Sequence, residues 1–356
     1  MDVAPLPRGG SRAVASGFTV ERRLPPGYLD DALRADAWEG LTSQPKWLPP
    51  KWFYDKAGSE LFDEITRLPE YYPTRAERSI LDGRAGEIAS VSRAATVVEL
   101  GAGSSEKTRL LLDALRSAGY LRRYVPVDVS DAALVDAGPA LARDYADLEV
   151  HALVADFEHV TDLPDGGDTR LVAFLGGTIG NFEPGARSAF LANLRRAMHP
   201  GDFLLLGTDL VKSPTVLVPA YDDAAGVTAA FNRNVLHVLN RELGADFAAD
   251  RFEHVALWDA DNEWIEMRLR SGGRQAIHAQ SLDLDVTFED GEEMRTEISA
   301  KFRREGIERE LDAAGFIVRR WWTDGDGRFG LSLSEPHDVD HLRPATPLAS
   351  PSNSRP

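Results

Sequence analysis

The chain has 356 residues, no cysteine and a formal net charge of −17, and its length fits one large domain or two domains that share a cleft. The negative charge repels a phosphate backbone, so we expect no nucleic-acid partner, and the lack of cysteine excludes disulfides and thiolate chemistry. No apolar run approaches the roughly 20 residues of a membrane-spanning helix, and no secretory signal follows Arg8 and Arg12, so we expect a cytoplasmic monomer with no membrane partner.

The chain ends and the region before Lys212 have different patterns. Residues 1–22 mix Gly, Pro, Ser and Arg, and residues 335–356 repeat Pro and Ser, so both ends are predicted to be disordered. Apolar runs predict strands at residues 96–100, 124–129, 150–155, 171–176 and 203–207. A helix predicted at residues 105–118 and further helix-like segments lie between these strands. This βαβ order predicts an α/β fold with a parallel sheet covered on both faces.

After Lys212 the pattern changes. An amphipathic helix is predicted at residues 222–243, and hairpin candidates follow at residues 254–258, 264–270 and 276–288. We interpret this segment as an insertion into the α/β domain. Residues 315–322 and 329–334 are predicted to form a closing hairpin on the main sheet.

The first predicted strand ends in Glu99 and turns through Gly101 and Gly103 into a helix, a bend that lets the backbone approach a ligand. Such glycines also serve ordinary turns. A dinucleotide fold requires a third glycine where Glu106 stands. S-adenosylmethionine instead carries a sulfonium, an amino group and a carboxylate, so Glu99 suits its positive end and Lys107 suits its carboxylate.

The next two strands also end in candidate cofactor residues. Asp128, roughly 29 residues after Glu99, is placed to hold the ribose hydroxyls. Asp156 can bond the adenine amine, and Phe157 can stack on the ring. Each acid taken alone is more often a cap or turn residue, but three successive strands with suitable ends favour a cofactor site.

The segment GGTIGNF at residues 176–182 follows the fourth strand, where methyltransferases hold the group that accepts the methyl. Asn181 can fix a nitrogen nucleophile for in-line attack, or it can simply cap the next helix. Aromatic clusters at residues 52–54 and 71–72 either pack in the core or shield a cation. His337 and His341 have ligand-like spacing but lie in the Pro/Ser-rich tail, so we predict no metal.

Longer sequence segments, spread over about residues 33–333, resemble those of a known protein family. The segments are KWFYD at 51–55, TRLPEYYPTR at 66–75, GTDLVK at 207–212 and AYDDAAGVT at 220–228. They resemble the histidine-specific methyltransferases of ergothioneine biosynthesis. The resemblance implies three methyl transfers from S-adenosylmethionine to the α-amino group of L-histidine, giving hercynine.

The resemblance also implies a Rossmann-like class I methyltransferase domain with an inserted α+β substrate-binding domain. We assign residues 23–74 and 212–300 to the substrate-binding domain. Residues 75–211 and 301–334 form the methyltransferase domain in this interpretation.

Residue roles follow from the same resemblance. The positions around S-adenosylmethionine are Tyr54, Gly101, Lys107, Asp128, Asp156 and Phe157, to which the loop argument adds Glu99 and Gly103. Tyr54, Asn181 and Tyr221 are the candidate catalytic residues. Asn181 and Tyr221 would hold the substrate's α-amino and carboxylate groups, and the other substrate-pocket residues would be Tyr71, Gly176, Met267, Glu297 and Ser299.

Glu297 and Ser299 are two positions apart, so they would share one strand face and meet the imidazole ring. The alternative is that Glu297 is a solvated strand residue. Other functions also stay open: a methyltransferase for another small amine, a non-catalytic S-adenosylmethionine-binding sensor, and a nicotinamide-dependent oxidoreductase. No general base is assigned from the sequence.

Overall fold

The computed structural model describes residues 17–103, 105, 107–159, 162–164 and 168–337, and for residues 11–15 and 159 the backbone alone. The strands are β1 Ser11–Ala15, β2 Phe18–Arg22, β3 Lys46–Trp47, β4 Thr96–Leu100, β5 Arg123–Asp128, β6 Glu149–Val154, β7 Arg170–Phe174, β8 Phe203–Asp209, β9 Phe252–Asp259, β10 Trp264–Ser271, β11 Gln275–Ala279, β12 Leu284–Phe288, β13 Glu293–Ala300, β14 Phe316–Thr323 and β15 Phe329–Pro336. The α-helices are α1 Tyr28–Thr42, α2 Lys56–Ile65, α3 Pro73–Ser92, α4 Thr108–Ser117, α5 Asp131–Asp144, α6 Pro184–Ala197, α7 Pro214–Leu217, α8 Val227–Leu243 and α9 Arg304–Ala313.

The main sheet has nine strands in the order β1-β2-β6-β5-β4-β7-β8-β15-β14. Strands β2 to β8 in this order are parallel, whereas β15 is antiparallel to β8 and pairs with β14. Every residue of β4 and β7 is buried, as expected for central strands with helices on both faces. The carboxyl ends of β4, β5, β6 and β7 meet at one edge, where open α/β sheets bind ligands.

The chain ends differ from the prediction of disorder. Strand β2 pairs in parallel with β6, and Phe18 and Val20 are fully buried. A side chain at Gly138 in α5 would collide with the Phe18 ring. The prediction is therefore wrong for Ser11–Ala15 and Phe18–Arg22, because β1 pairs with β2 and the pairing of β2 with β6 is not visible in the composition of this segment.

At the other end, β15 continues to Pro336, and the His337 N–H donates to the Gly315 carbonyl at 2.8 Å. Disorder from residue 335 is therefore also wrong for these first positions. Residues 1–10 and 338–356 lie outside the described residues.

A second sheet has the order β3-β13-β10-β9, and β11 and β12 form a separate hairpin. The predicted alternating run at residues 276–288 is thus two strands. Helix α8 begins at Val227, five residues later than predicted, because the Asp223 carboxylate caps it by accepting from the N–H groups of Val227 and Thr228 at 3.0 and 2.7 Å. The helix predicted from residue 105 begins at Thr108, because Gly103 and Ser105 have φ of 49° and 55°.

The two sheets meet where the short 3-10 helix Thr178–Asn181 lies against the end of β13. A Cβ atom at Gly180 would lie 2.8 Å from the Ala300 carbonyl oxygen, so this close approach requires glycine. The contact brings the end of β7 beside β13. In the part of the chain that the structure describes, no helix has the length and apolar composition needed to cross a bilayer. The monomeric state and the cytoplasmic location stay predictions.

Candidate active site

The loop after β4 is fixed to β5 by hydrogen bonds. Gly101 and Gly103 have φ of 67° and 49°, conformations that favour glycine. The N–H groups of Gly101 and Ala102 donate to the Val127 carbonyl at 2.9 and 3.2 Å. Open space surrounds the position where a Gly103 side chain would stand, so the loop leaves its backbone accessible to a ligand.

Asp128 ends β5 and holds this loop. One carboxylate oxygen accepts from the Gly103 N–H at 3.1 Å, and the other accepts from the Ser130 N–H at 2.9 Å. Burial raises the pKa of Asp128, and the backbone hydrogen bonds oppose that shift. The residue therefore connects the glycine loop to the start of α5.

Glu99 has a different environment from the predicted one. The sequence predicted a contact with the positive end of the cofactor. In the structure Glu99 is 5% exposed, and its two oxygens accept from the hydroxyls of Thr108 and Tyr124. Burial raises the pKa of Glu99 to about 7. Glu99 therefore fastens α4 to the sheet beneath the loop.

Glu77 in α3 was not predicted from the sequence. It is fully buried, its two oxygens lie 2.8 and 3.0 Å from the Gly176 nitrogen, and it forms an ion pair with Lys107. Any side chain at Gly207 would collide with it. Lys107 and Gly176, both predicted site residues, are thus joined by a third group. The signal was a charged residue on the apolar face of a helix, three positions before the buried Ile80.

Asp156 and Phe157 follow β6. Asp156 accepts from the Tyr28 hydroxyl and from the Glu158 N–H, both at 2.9 Å. The Phe157 ring would contact a Cβ atom at Gly101 at 3.5 Å, so it stands beside the glycine loop. Tyr28, at the start of α1, is after Glu77 the second residue that contacts a predicted site residue and was not predicted from the sequence.

Three predicted tyrosines lie near one another and near Glu297. The Tyr54 ring stacks edge-on against Phe62 and Phe231, with centroids 5.5 and 5.4 Å apart. Tyr71 and Tyr221 are similarly edge-on at 6.4 Å. Burial and the nearby Glu297 carboxylate raise the pKa of all three hydroxyls, although the Tyr54 residue is 46% exposed overall. The three hydroxyls therefore stay protonated near neutral pH.

Glu297 lies opposite the loop after β7. Its carboxylate accepts from Asn181 Nδ2 at 3.1 Å. Burial raises its pKa to about 7, and the charge of Lys301 and the Asn181 hydrogen bond oppose the shift. Met267, its partner on β10, is 1% exposed. Glu297 is thus a partly buried acid and not a solvated strand residue.

Ser299 belongs to a hydrogen-bonded cluster that sequence reasoning did not find. Its Oγ lies 2.8 Å from the Tyr221 hydroxyl, and Lys301 Nζ lies 2.8 Å from both oxygens. Lys301 also pairs with Asp209 at 3.0 Å. Asp209 in turn accepts from the Tyr72 hydroxyl at 2.7 Å and pairs with Lys212 at 2.6 Å.

The predicted site residues therefore converge at one edge of the main sheet, except that Glu99 lies beneath the loop. His254 Nε2 lies 2.8 Å from the Tyr221 carbonyl oxygen. Glu106 and His341 lie outside the described residues. Among the side chains that the structure describes, no group of three or more histidine, aspartate or glutamate residues is arranged to hold a metal ion.

A family model described as "Histidine-specific methyltransferase, SAM-dependent" matches residues 33–336, which is most of the chain. The chain belongs to this family. The fold class predicted from the sequence, a Rossmann-like class I methyltransferase, is confirmed by this match and by the sheet order.

Individual members of the histidine-specific methyltransferase family are similar along most of the chain. The histidine N-alpha-methyltransferase of Mycobacterium tuberculosis is 59% identical over 304 residues, covering 85% of this chain and 94% of that protein. Its counterpart in Mycolicibacterium smegmatis is 57% identical over 305 residues, covering 85% and 95%. Ergothioneine biosynthesis protein 1 of Neurospora crassa is 31% identical over 299 residues, covering 81% of this chain and 33% of that protein.

The match to the histidine-specific methyltransferase family begins within α1 and includes Glu297, Ser299 and Lys301. Strand β2 and Tyr28 precede the matched residues. The hydrogen bond from Tyr28 to Asp156 therefore joins a segment outside the family match to a predicted cofactor residue.

Proposed function

We propose that this protein transfers three methyl groups from S-adenosylmethionine to the α-amino group of L-histidine. The product would be hercynine, which makes this the first step of ergothioneine biosynthesis. The observation that carries the proposal is that the Asn181–Glu297 pair lies beside the Tyr221–Ser299 hydroxyl pair. Both pairs belong to a chain that matches the histidine-specific methyltransferase family. The names of the mycobacterial relatives support the same substrate.

The cofactor is proposed to bind at the glycine loop. S-adenosylmethionine supplies an electrophilic methyl group on a positively charged sulfur. The open space at Gly103 and the adjacent Asp128 carboxylate fit ribose hydroxyls, which are hydrogen-bond donors. Asp156 and Phe157 suit the adenine, and Lys107 suits the amino-acid carboxylate. Tyr54 would also contact the cofactor, and Gly101 would let the loop backbone approach it closely.

The substrate is proposed to bind between β13 and the loop after β7. Glu297 and Ser299 would meet the imidazole, and Tyr221 would meet the carboxylate. Tyr71, Gly176 and Met267 would line the same pocket. A carboxylate and a hydroxyl lone pair can each accept a hydrogen bond, and they suit a protonated imidazole ring, in which both nitrogens carry hydrogen.

Asn181 is proposed to orient the amine. A carboxylate accepts hydrogen bonds but donates none, so Glu297 fixes the Asn181 amide with its nitrogen toward the acid. The Asn181 carbonyl oxygen then remains to accept from the substrate's α-amino group. This leaves the amine lone pair free for in-line attack, and positioning supplies much of the rate. The small Gly176–Gly177 wall would let the amine rotate between successive transfers.

The experiment is an amino-acid panel. The protein is incubated with S-adenosylmethionine and each amino acid in turn, and products are detected by mass. We expect histidine to gain three methyl groups and the other amino acids to gain far less. If histidine gains no methyl mass while another amine does, the substrate proposal is wrong.

A further inference from the structure

Lys301, directly after β13, is a buried lysine with every donor used. Its side chain is 0% exposed. Its Nζ lies 2.8 Å from the Tyr221 hydroxyl, 2.8 Å from Ser299 Oγ and 3.0 Å from an Asp209 carboxylate oxygen. A lysine ammonium has three N–H donors and no acceptor. Each donor therefore has one acceptor, and the group is held in a single orientation.

The direction of these bonds limits what the two hydroxyls can do. Each hydroxyl has one hydrogen and two lone pairs, and each accepts one hydrogen bond from Lys301. One hydroxyl must also donate to the other across their 2.8 Å separation. Among the residues that the structure describes, the pair is therefore left with one hydroxyl hydrogen to donate.

The charges around the pair favour an anion as the acceptor of that hydrogen. Lys301 and Lys212 share the carboxylate of Asp209, and the buried Glu297 carboxylate also interacts with the charge of Lys301. The Tyr221 hydroxyl is in direct contact with Lys301, which also lies 4.6 Å from the centre of the Tyr221 ring. A hydroxyl that accepts a hydrogen bond from an ammonium group is polarised, so its own hydrogen bonds more strongly to an anionic acceptor.

We propose that Lys301 is a positioning residue that makes the Tyr221 hydroxyl a donor to the free carboxylate of an α-amino acid substrate. Ser299 then donates to Tyr221 and keeps one lone pair for the substrate's imidazole N–H. Lys301 does not touch the substrate, and it acts through the two hydroxyls. This inference rests on the proposed function and specifies how the same site recognises a carboxylate.

The test compares L-histidine with L-histidinamide, in which a neutral amide replaces the carboxylate. Wild type is expected to prefer histidine. In Lys301→Met we expect the KM for histidine to rise by about 10- to 100-fold, the loss typical of a charge-assisted hydrogen bond. The KM for histidinamide should change by less than about 3-fold, and so should the Kd for S-adenosylhomocysteine measured by calorimetry.

Lys46→Met is the matched control. Lys46 is also buried on the second sheet, 4% exposed, but its ionic partner is Glu292 at the far end of β13. It should leave both KM values unchanged. If Lys301→Met does not fold, Lys301→Gln is measured with the same two substrates and is expected to lose the same discrimination.

Two failures are distinguishable. Equal effects on histidine and histidinamide, or an unchanged preference for histidine, would overturn the role of Lys301. If wild type methylates neither compound, the proposed function itself fails.

Discussion

The two halves of the candidate site, the glycine loop and the Glu297 cluster, are built from different kinds of contact. On the proposed cofactor side, the backbone N–H groups of Gly103 and Ser130 bond to the carboxylate of Asp128. On the substrate side, side chains bond to side chains, as in Asn181 with Glu297. Backbone shape therefore defines one half of the site and side-chain identity defines the other.

Substrate specificity is expected to reside in the side-chain half of the site. A loop held through its backbone can bind a cofactor common to many enzymes, whereas a side-chain cluster can be changed one residue at a time. Substitutions on the two sides should therefore separate cleanly in kinetics, with cofactor affinity and histidine KM responding to different residues.

The largest effect is expected at Glu297. Glu297→Ala removes a buried acceptor and leaves Asn181 Nδ2 without its partner, so the KM for histidine should rise by about 100-fold. The Kd for S-adenosylhomocysteine should stay within about 3-fold in calorimetry. Glu293→Ala is the control, since Glu293 lies on the same strand but pairs with Arg268 and Arg270. Unchanged histidine kinetics in Glu297→Ala would remove the substrate role of this residue.

Asp128 tests the opposite half. Asp128→Ala should weaken S-adenosylmethionine binding by about 10-fold or more, because it removes the acceptor for Gly103 N–H and the proposed ribose contact. At saturating cofactor the KM for histidine should change little. Asp131→Ala removes a nearby exposed acid that pairs with Arg22 and should have no such effect. Wild-type affinity of Asp128→Ala in calorimetry would contradict the assignment.

A smaller effect is expected at Glu77. Glu77→Gln keeps one oxygen for the Gly176 N–H but loses the ion pair with Lys107. We expect cofactor binding to weaken by about 3- to 10-fold with little change in histidine KM. Glu87→Gln, on the same helix and bonded to Trp322, is the control. An effect on the KM for histidine alone would mean that Glu77 acts on substrate binding and not on cofactor binding.

An effect of similar size is expected in the pH dependence. Burial raises the pKa of Glu297 to about 7, so the carboxylate becomes protonated as the pH falls through that value. Between about pH 8 and pH 6 we expect kcat/KM for histidine to fall by a further 3- to 10-fold or so in wild type compared with Glu297→Gln. Histidine itself titrates equally in both proteins. Parallel pH profiles would show that Glu297 is not the titrating group.

The sequence was most informative where the signal was local. The strand ending in Glu99, the glycines after it and Asp128 could be predicted because each strand end is read from its own neighbours. The direction of the Glu99 side chain could not be predicted, because it depends on Tyr124 in the next strand.

Glu77 and Lys301 illustrate the limit. Glu77 is separated from Gly176 by 99 residues, and Lys301 from Tyr221 by 80, so only the fold brings them together. Strand β2 was missed for a related reason: pairing with β6, and not its own composition, stabilises it. The substrate side was predicted from the family resemblance, and its roles stay predictions.

The most direct test of the account is the location of the added methyl groups. Histidine is converted with excess S-adenosylmethionine, and the product is examined by mass spectrometry and NMR. The account predicts three methyl groups on the α-nitrogen and none on the imidazole, because Asn181 orients the amine while Glu297 and Ser299 hydrogen-bond to the imidazole ring. Methylation of a ring nitrogen, or no methylation of histidine, would contradict it.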